Sequence, residues 1–260
     1  MHLRPCASAL SAVFTIASCV CAAQAQSQAN RTPVLVELFT SEGCSSCPPA
    51  DALLAKLDHD QPFPNAEIIV LGEHVDYWDG QGWHDRFSSS QYTDRQKDYC
   101  ARLQAKEGAY TPQMIVDGTD QFVGNDVSHA QQAIQHAAQS SKLKLTLSQP
   151  AVDGRKISAS VSATALEATK PQGDLFAALV DPTDVTDVRG GENGGHRLQH
   201  AGVVRSLQRI GSLKQLGSAP LSFSLKAPAD AKPETMRVVV FAQQSGPGAV
   251  LGAVSASVAP

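Results

Sequence analysis

Two kinds of apolar patterning divide the chain. In the first half, unbroken apolar runs of strand length, Val34–Phe39 and Glu67–Gly72, flank a segment with helical spacing, Ala50, Leu53, Leu54 and Leu57. Pro48 and Pro49 precede that segment, where a missing N–H costs a helix nothing. The pattern predicts a βαβ unit with parallel strands. Ser88-x-x-Gln91 reads as a capping box opening a helix to about Ala105. Pro112–Val116 reads as a third strand, Asp117-Gly118 as a hairpin turn, Gln121–Val123 as the return strand and Ser128–Ser141 as a helix. From Lys142 the period changes to two, in Leu143–Leu147, Lys156–Val161, Leu221–Leu225 and Val250–Val258, with more continuous apolar runs at Asp174–Val180 and Met236–Phe241. Short strands with intervening turns predict a β-sandwich, and the change of period places a boundary near residues 141–143. Asp187–Leu207 is the least strand-like piece of the second half. It reads either as a surface loop or as a loop packed on the edge that carries the cysteines described next.

Chemistry concentrates where the first strand hands over to the first helix, at Cys44-Ser45-Ser46-Cys47. A helix N-terminus stabilises an anion, and the thiolate is the reactive form of cysteine. Cys44, the first and more accessible, is the expected nucleophile and Cys47 the resolving thiol. The other cysteines are Cys6, Cys19, Cys21 and Cys100. Residues 1–25 read as a secretory signal peptide cleaved after Ala23-Gln24-Ala25, which places the protein in the periplasm or outside the cell. Ile16-Ala17-Ser18-Cys19 offers the alternative of a lipoprotein anchored at Cys19. No other run is long and apolar enough to span a bilayer. In an oxidising compartment the CxxC pair can form a disulfide, but so short a loop constrains the unfolded chain little, which favours a redox role over a staple. Cys100 reads as a buried thiol, with a second resolving thiol as the alternative.

These residues carry a resemblance. VLVE, a short turn and C-x-x-C-P resemble the active-site segment of thioredoxin-like proteins. More narrowly, ELFTSEGCSSCPPAD is similar to the family called domain of unknown function 1223, exported bacterial proteins with a thioredoxin-like domain. The similarity continues in Val75–Gln96, Tyr110–Gly118 and Gly191–Arg205. It implies an α/β thioredoxin-like domain over 33–141, which the period-two strands from Lys142 onward follow as an all-β sandwich-like domain over 142–260. It also implies thiol–disulfide exchange with protein or small-molecule disulfides, and a cis bond before Pro112 beside the cysteines. Glu37 stands near the place of the buried thioredoxin carboxylate, one residue further from the first cysteine. There it would accept a proton from Cys47; otherwise it is an exposed or edge glutamate.

Composition narrows the remaining classes. A net charge of −4 and the lack of a basic stripe argue against nucleic-acid binding. Gly190, Gly191, Gly194 and Gly195 do not form a dinucleotide fingerprint, and no other motif calls for a cofactor. His196 and His200 have the spacing of two helical zinc ligands, but Arg197 stands where a zinc protease needs glutamate. The two thiolates with His74 suit Cu(I), which makes a periplasmic copper carrier the alternative function. A non-catalytic binding module is the third reading.

Overall fold

A computed structural model describes residues 31–164, 172–216 and 219–259; the predicted signal peptide and Cys19 lie outside them. In chain order the elements begin β1 (Thr32–Thr40), α1 (Pro48–Asp60), β2 (Ala66–His74), α2 (Ser90–Leu103), β3 (Gln113–Val116), β4 (Asp120–Val123) and α3 (Val127–Ala137). β1 and β2 run parallel, and β3 runs antiparallel to β1 with Gln113 opposite Phe39. The β3–β4 turn places Asp117 and Gly118 at φ 50° and 68°, as the Asp-Gly pair predicts. Helix α2 is capped by Ser89, whose side chain accepts from the Gln91 N–H at 3.2 Å, one residue later than the capping-box pattern suggested.

The second half continues with β5 (Lys144–Leu147), β6 (Ala151–Asp153), β7 (Lys156–Thr164), β8 (Asp174–Asp187), β9 (Arg197–Ser212), β10 (Leu221–Lys226), β11 (Arg237–Gln243) and β12 (Val250–Ser257). Here the expected fold class is corrected. The chain is not a thioredoxin-like α/β domain followed by a separate sandwich. One eight-stranded mixed sheet, in the order β12-β11-β8-β9-β2-β1-β3-β4, joins strands from both halves. A smaller sheet, β10-β7-β5 with β6 beside β7, packs on one part of it. The joint is β9, the segment that read as a loop. It pairs with β2 in parallel at Gly72 and Val203. Glycine is required there: a Cβ on Gly72 would stand 2.9 Å from the Ala201 carbonyl oxygen, and one on Gly202, at φ 62°, would stand 2.7 Å from Val70 Cγ2.

The core follows from this joint. On one face of β1, Val34, Val36 and Leu38 pack against Ala50, Leu54 and Leu57 of α1 and Ala130, Ala133 and Ile134 of α3. On the other, Leu35 joins a cluster with Tyr92 of α2, Ala178 and Val180 of β8, and Val239 and Phe241 of β11. This second cluster draws on both halves, so helix α2 covers residues that a boundary near 141–143 would have put in different units. The opposite face of β8 and β11, with Leu175, Ala177, Leu179, Val238 and Val240, is covered by Leu145, Ile157, Val161 and Leu225 of the smaller sheet.

Candidate functional site

Cys44 and Cys47 are joined in a disulfide in the turn between β1 and α1. Cys47 is the N-cap of α1, and Pro48 and Pro49 take its first two positions. The prolines remove two orphan donors, while the Ala50 and Asp51 N–H groups donate to the Cys47 carbonyl at 2.8 and 3.1 Å. The N–H groups of Cys44, Ser45 and Cys47 are bonded to Ser41, Glu192 and the Cys44 carbonyl, so a thiolate at Cys44 would draw on the helix dipole and on the Ser46 hydroxyl, whose Oγ lies 3.4 Å from Cys44 Sγ. The expected difference in accessibility is not present: both cysteines are fully buried, and only Ser45 and Ser46 between them are exposed.

Pro112 stands at the same edge. It precedes Gln113, which pairs with Phe39 near the end of β1, and the Thr111–Pro112 peptide is cis. Gly124 leaves the space between Pro112 and α1: a Cβ there would lie 3.0 Å from Pro112 Cβ and 3.1 Å from Ala50 Cβ. Trp78 ties the two segments. Its indole N–H donates to Thr111 Oγ1 at 2.7 Å, and its Cβ would be 3.2 Å from a Cβ on Gly43.

Glu37 is buried, as the resemblance implies, but it sits elsewhere. β1 alternates, so Val36 and Leu38 face α1 while Glu37 shares the α2 face with Leu35 and Phe39. There Arg95 of α2 donates to it from Nε at 2.7 Å and the Tyr99 hydroxyl donates at 2.5 Å. Arg95 also donates to the Tyr99 hydroxyl and to Gln243 of β11, each at 3.0 Å. Glu37 is thus a buried ion-pair partner that locks α2 to the sheet, on the face away from the helix that carries Cys47.

The buried acids on the cysteine side are others, which the sequence reading passed over. Glu42 accepts from the Trp83 indole N–H at 2.7 Å through Oε2, and its Oε1 lies 3.6 Å from His200 Nε2. Asp51, one turn into α1 from Cys47, accepts from Thr40 Oγ1 at 3.3 Å and lies 3.8 Å from His200 Nδ1. Burial opposes charge on His200, yet the nearby Asp51 and Glu42 carboxylates, at ion-pair rather than hydrogen-bond distance, hold its pKa up to about 10. Asp85 accepts from the Glu42 N–H at 2.8 Å and meets His74 Nδ1 at 2.7 Å. Burial alone would raise the Asp85 pKa; the His74 imidazole and the backbone donors bring it down to about 2. The His74 and His200 rings meet edge to face with centroids 4.8 Å apart. Both histidines are therefore held by carboxylates inside one buried polar cluster behind the disulfide turn. No group of three or more His, Cys, Asp or Glu among the described residues is arranged to hold a metal ion. His196, exposed, and His200, buried in β9, do not form a pair on a helix.

Residues 188–196, the tip of the β8–β9 hairpin, complete the site: of the stretch 187–207 that reads as a loop, this part packs on the cysteine edge, while the part from Arg197 onward is strand β9. Glu192 accepts from the Ser45 N–H at 3.1 Å and from its hydroxyl at 2.6 Å, and these bonds lower the Glu192 pKa. Asn193 Nδ2 donates to the carbonyls of Glu42 and Cys44 at 2.9 and 3.0 Å. The repeated glycines around them are the signal available in the sequence: a Cβ on Gly190 would fall 2.2 Å from the Gly82 carbonyl oxygen. Cys100 on α2 is a free buried thiol, donating to the Gly108 carbonyl at 3.2 Å, and burial raises its pKa.

Comparison with known proteins places this arrangement. A crystal structure of a protein from Agrobacterium tumefaciens is 28% identical, with a TM-score of 0.66, over 88% of this chain and 95% of that one. A domain of the outer membrane lipoprotein Omp28 from Porphyromonas gingivalis is 16% identical, with a TM-score of 0.31, over 46% of this chain and 90% of that one. None of the curated proteins matches. The family model described as "Protein of unknown function (DUF1223)" matches residues 35–243, more than half of the chain, and the protein belongs to that family.

Proposed function

We propose that the chain is an exported thiol–disulfide oxidoreductase working through Cys44 and Cys47. One observation carries the reading: the disulfide closes a loop with a sequence separation of 3, at the junction of β1 and a proline-led helix. A loop of about four residues yields only about 2 kcal/mol by chain entropy, less than longer loops do, so stapling is a poor reason for it. Cys44 is the nucleophile in the reduced protein and Cys47 resolves the mixed disulfide. Pro112 lines the same edge. Glu37 keeps the structural role described above, and the charged groups on the cysteine side are Glu42, Asp51 and His200. A disulfide of this kind is also what an oxidising compartment permits, and no helix among the described residues is long and apolar enough to cross a membrane.

The test is a Cys47→Ser variant expressed in the native host. It retains the attacking thiol and lacks the resolving one, so mixed disulfides accumulate on Cys44 and identify the partner. Recovery of no thiol-dependent adducts, under conditions that trap a known oxidoreductase, overturns the proposal.

A further inference from the structure

The tip of the β8–β9 hairpin holds the cysteine turn the way a bound peptide would. Three main-chain groups of the turn, the carbonyls of Glu42 and Cys44 and the N–H of Ser45, are bonded by side chains distant in sequence. Asn193 supplies a carboxamide N–H to the two carbonyls; Glu192 supplies a carboxylate oxygen to the N–H. An amide donor and a carbonyl-like acceptor side by side are what an extended polypeptide backbone presents.

Both cysteines are at 0% exposure, and the tip is bonded to the Cys44 carbonyl and to Ser45, so no partner sulfur reaches them in this arrangement. Lifting the tip takes from the buried Glu42 carbonyl its Asn193 donor and leaves the Cys44 carbonyl with the Cys47 N–H alone, which a buried turn resists unless new donors arrive. A small disulfide or dithiol offers no such set. The tip is bonded to itself at its base: Val188 N–H donates to the His196 carbonyl and Gly195 N–H to the Val188 carbonyl. Gly190, Gly191, Gly194 and Gly195 surround the two contacting residues, and the Glu192 carboxylate is exposed to water.

We infer that residues 190–193 occupy the seat of the substrate, and that the substrate is a cysteine within an extended polypeptide segment. This rests on the thiol–disulfide reading above. From the oxidised form, a substrate thiolate attacks Cys44 Sγ. The Cys44–Cys47 bond breaks, a substrate–Cys44 bond forms, and Cys47 leaves as a thiolate that takes a proton from water. A second cysteine thiolate of the same polypeptide then attacks the substrate sulfur and releases the Cys44 thiolate. The polypeptide dithiol is oxidised to a disulfide and the protein's disulfide is reduced, two electrons in each case. Exchange is reversible, and the seat serves either direction.

The experiment is stopped-flow reduction of the oxidised protein, as wild type, Glu192→Gln and Asn193→Ala. The probes are dithiothreitol and an unstructured peptide of about ten residues with two cysteines, compared at equal thiolate concentration. Glu192 is at the surface, so its variant tests the idea even where the buried Asn193 change disturbs folding. Both variants are expected to react with dithiothreitol at least threefold faster than wild type. The peptide is expected to outpace dithiothreitol at least tenfold, and its serine-substituted analogue to slow the dithiothreitol reaction of Glu192→Gln saturably. Equal dithiothreitol rates in wild type and a folded variant refute the covering role. Equal peptide and dithiothreitol rates, with no inhibition by the analogue, refute the polypeptide seat while leaving thiol–disulfide exchange standing. A disulfide inert to both probes in every folded form overturns the exchange reading itself.

Discussion

Replacing Glu73 with Gln should stabilise the protein, by an amount that grows with pH. Glu73 lies on β2, fully buried, and neither of its carboxyl oxygens has a hydrogen-bond partner. Arg95 Nε is 3.5 Å away but is already bound to Glu37. Burial, and then the neighbouring Glu37, raise the Glu73 pKa well above the ordinary value; Arg95 pulls the other way and does not prevail. The folded state therefore holds a proton that the unfolded chain releases above the ordinary glutamate value of about 4.3. Stability from this group is complete below that value and falls as pH rises, by about 1.4 kcal/mol per unit while the folded protein keeps the proton. Glutamine copies the neutral carboxyl and has no proton to lose, so the variant lacks this slope, and its amide can donate to Glu37. Urea unfolding at pH 5, 6 and 7, followed by circular dichroism, should show the variant gaining on wild type by roughly 1–3 kcal/mol across that range. A variant that is destabilised equally at all three values would mean that Glu73 is ionised and paired with Arg95, and the reasoning would fail.

His200 gives the same slope from a cationic group on the other face of the sheet. Its folded pKa of about 10 exceeds the unfolded value, so its contribution is complete below about 6.5 and is lost as pH rises toward 10. His200→Asn should flatten the stability profile between pH 7 and 10, an effect on the order of a few kcal/mol in the same urea assay; an unchanged profile contradicts the pairing with Asp51 and Glu42. Gly202→Ala forces a Cβ toward Val70 at φ 62° and should cost about 2–4 kcal/mol, from left-handed strain plus overpacking. A loss under about 1 kcal/mol would show that the β2–β9 joint tolerates a side chain.

Local elements were legible because period and turn chemistry are local. Val34–Phe39, the proline-led helix and the Asp117-Gly118 turn all lie where their residues predict. The family was legible from short motifs around Cys44, Trp78, Pro112 and Gly191. The joined sheet was not. Which strand edges meet depends on close approach of Gly72 and Gly202, and neither glycine announces a partner 130 residues away. β9 also carries polar and glycine residues, Gln199, His200 and Gly202, because this stretch serves the site as well as the sheet. Glu37 shows a different limit. The motif foretold a buried carboxylate, but the face it occupies is set by strand alternation, and its partner Arg95 comes from a helix that the motif does not include. The acids beside the cysteines, Glu42 and Asp51, gained meaning only once His200 was brought to them.

The most direct test of the central claim is the reactivity order of the thiols in the reduced protein. Iodoacetamide alkylation across pH, followed by peptide mapping, reads all three cysteines among the described residues at once. The account predicts that Cys44 is modified first, with an apparent pKa below the free-thiol value of about 8.5, and that Cys100, buried on α2, is slow. If Cys47 or Cys100 reacts first, or Cys44 titrates near 8.5, the disulfide is not a catalytic pair and the oxidoreductase proposal is contradicted.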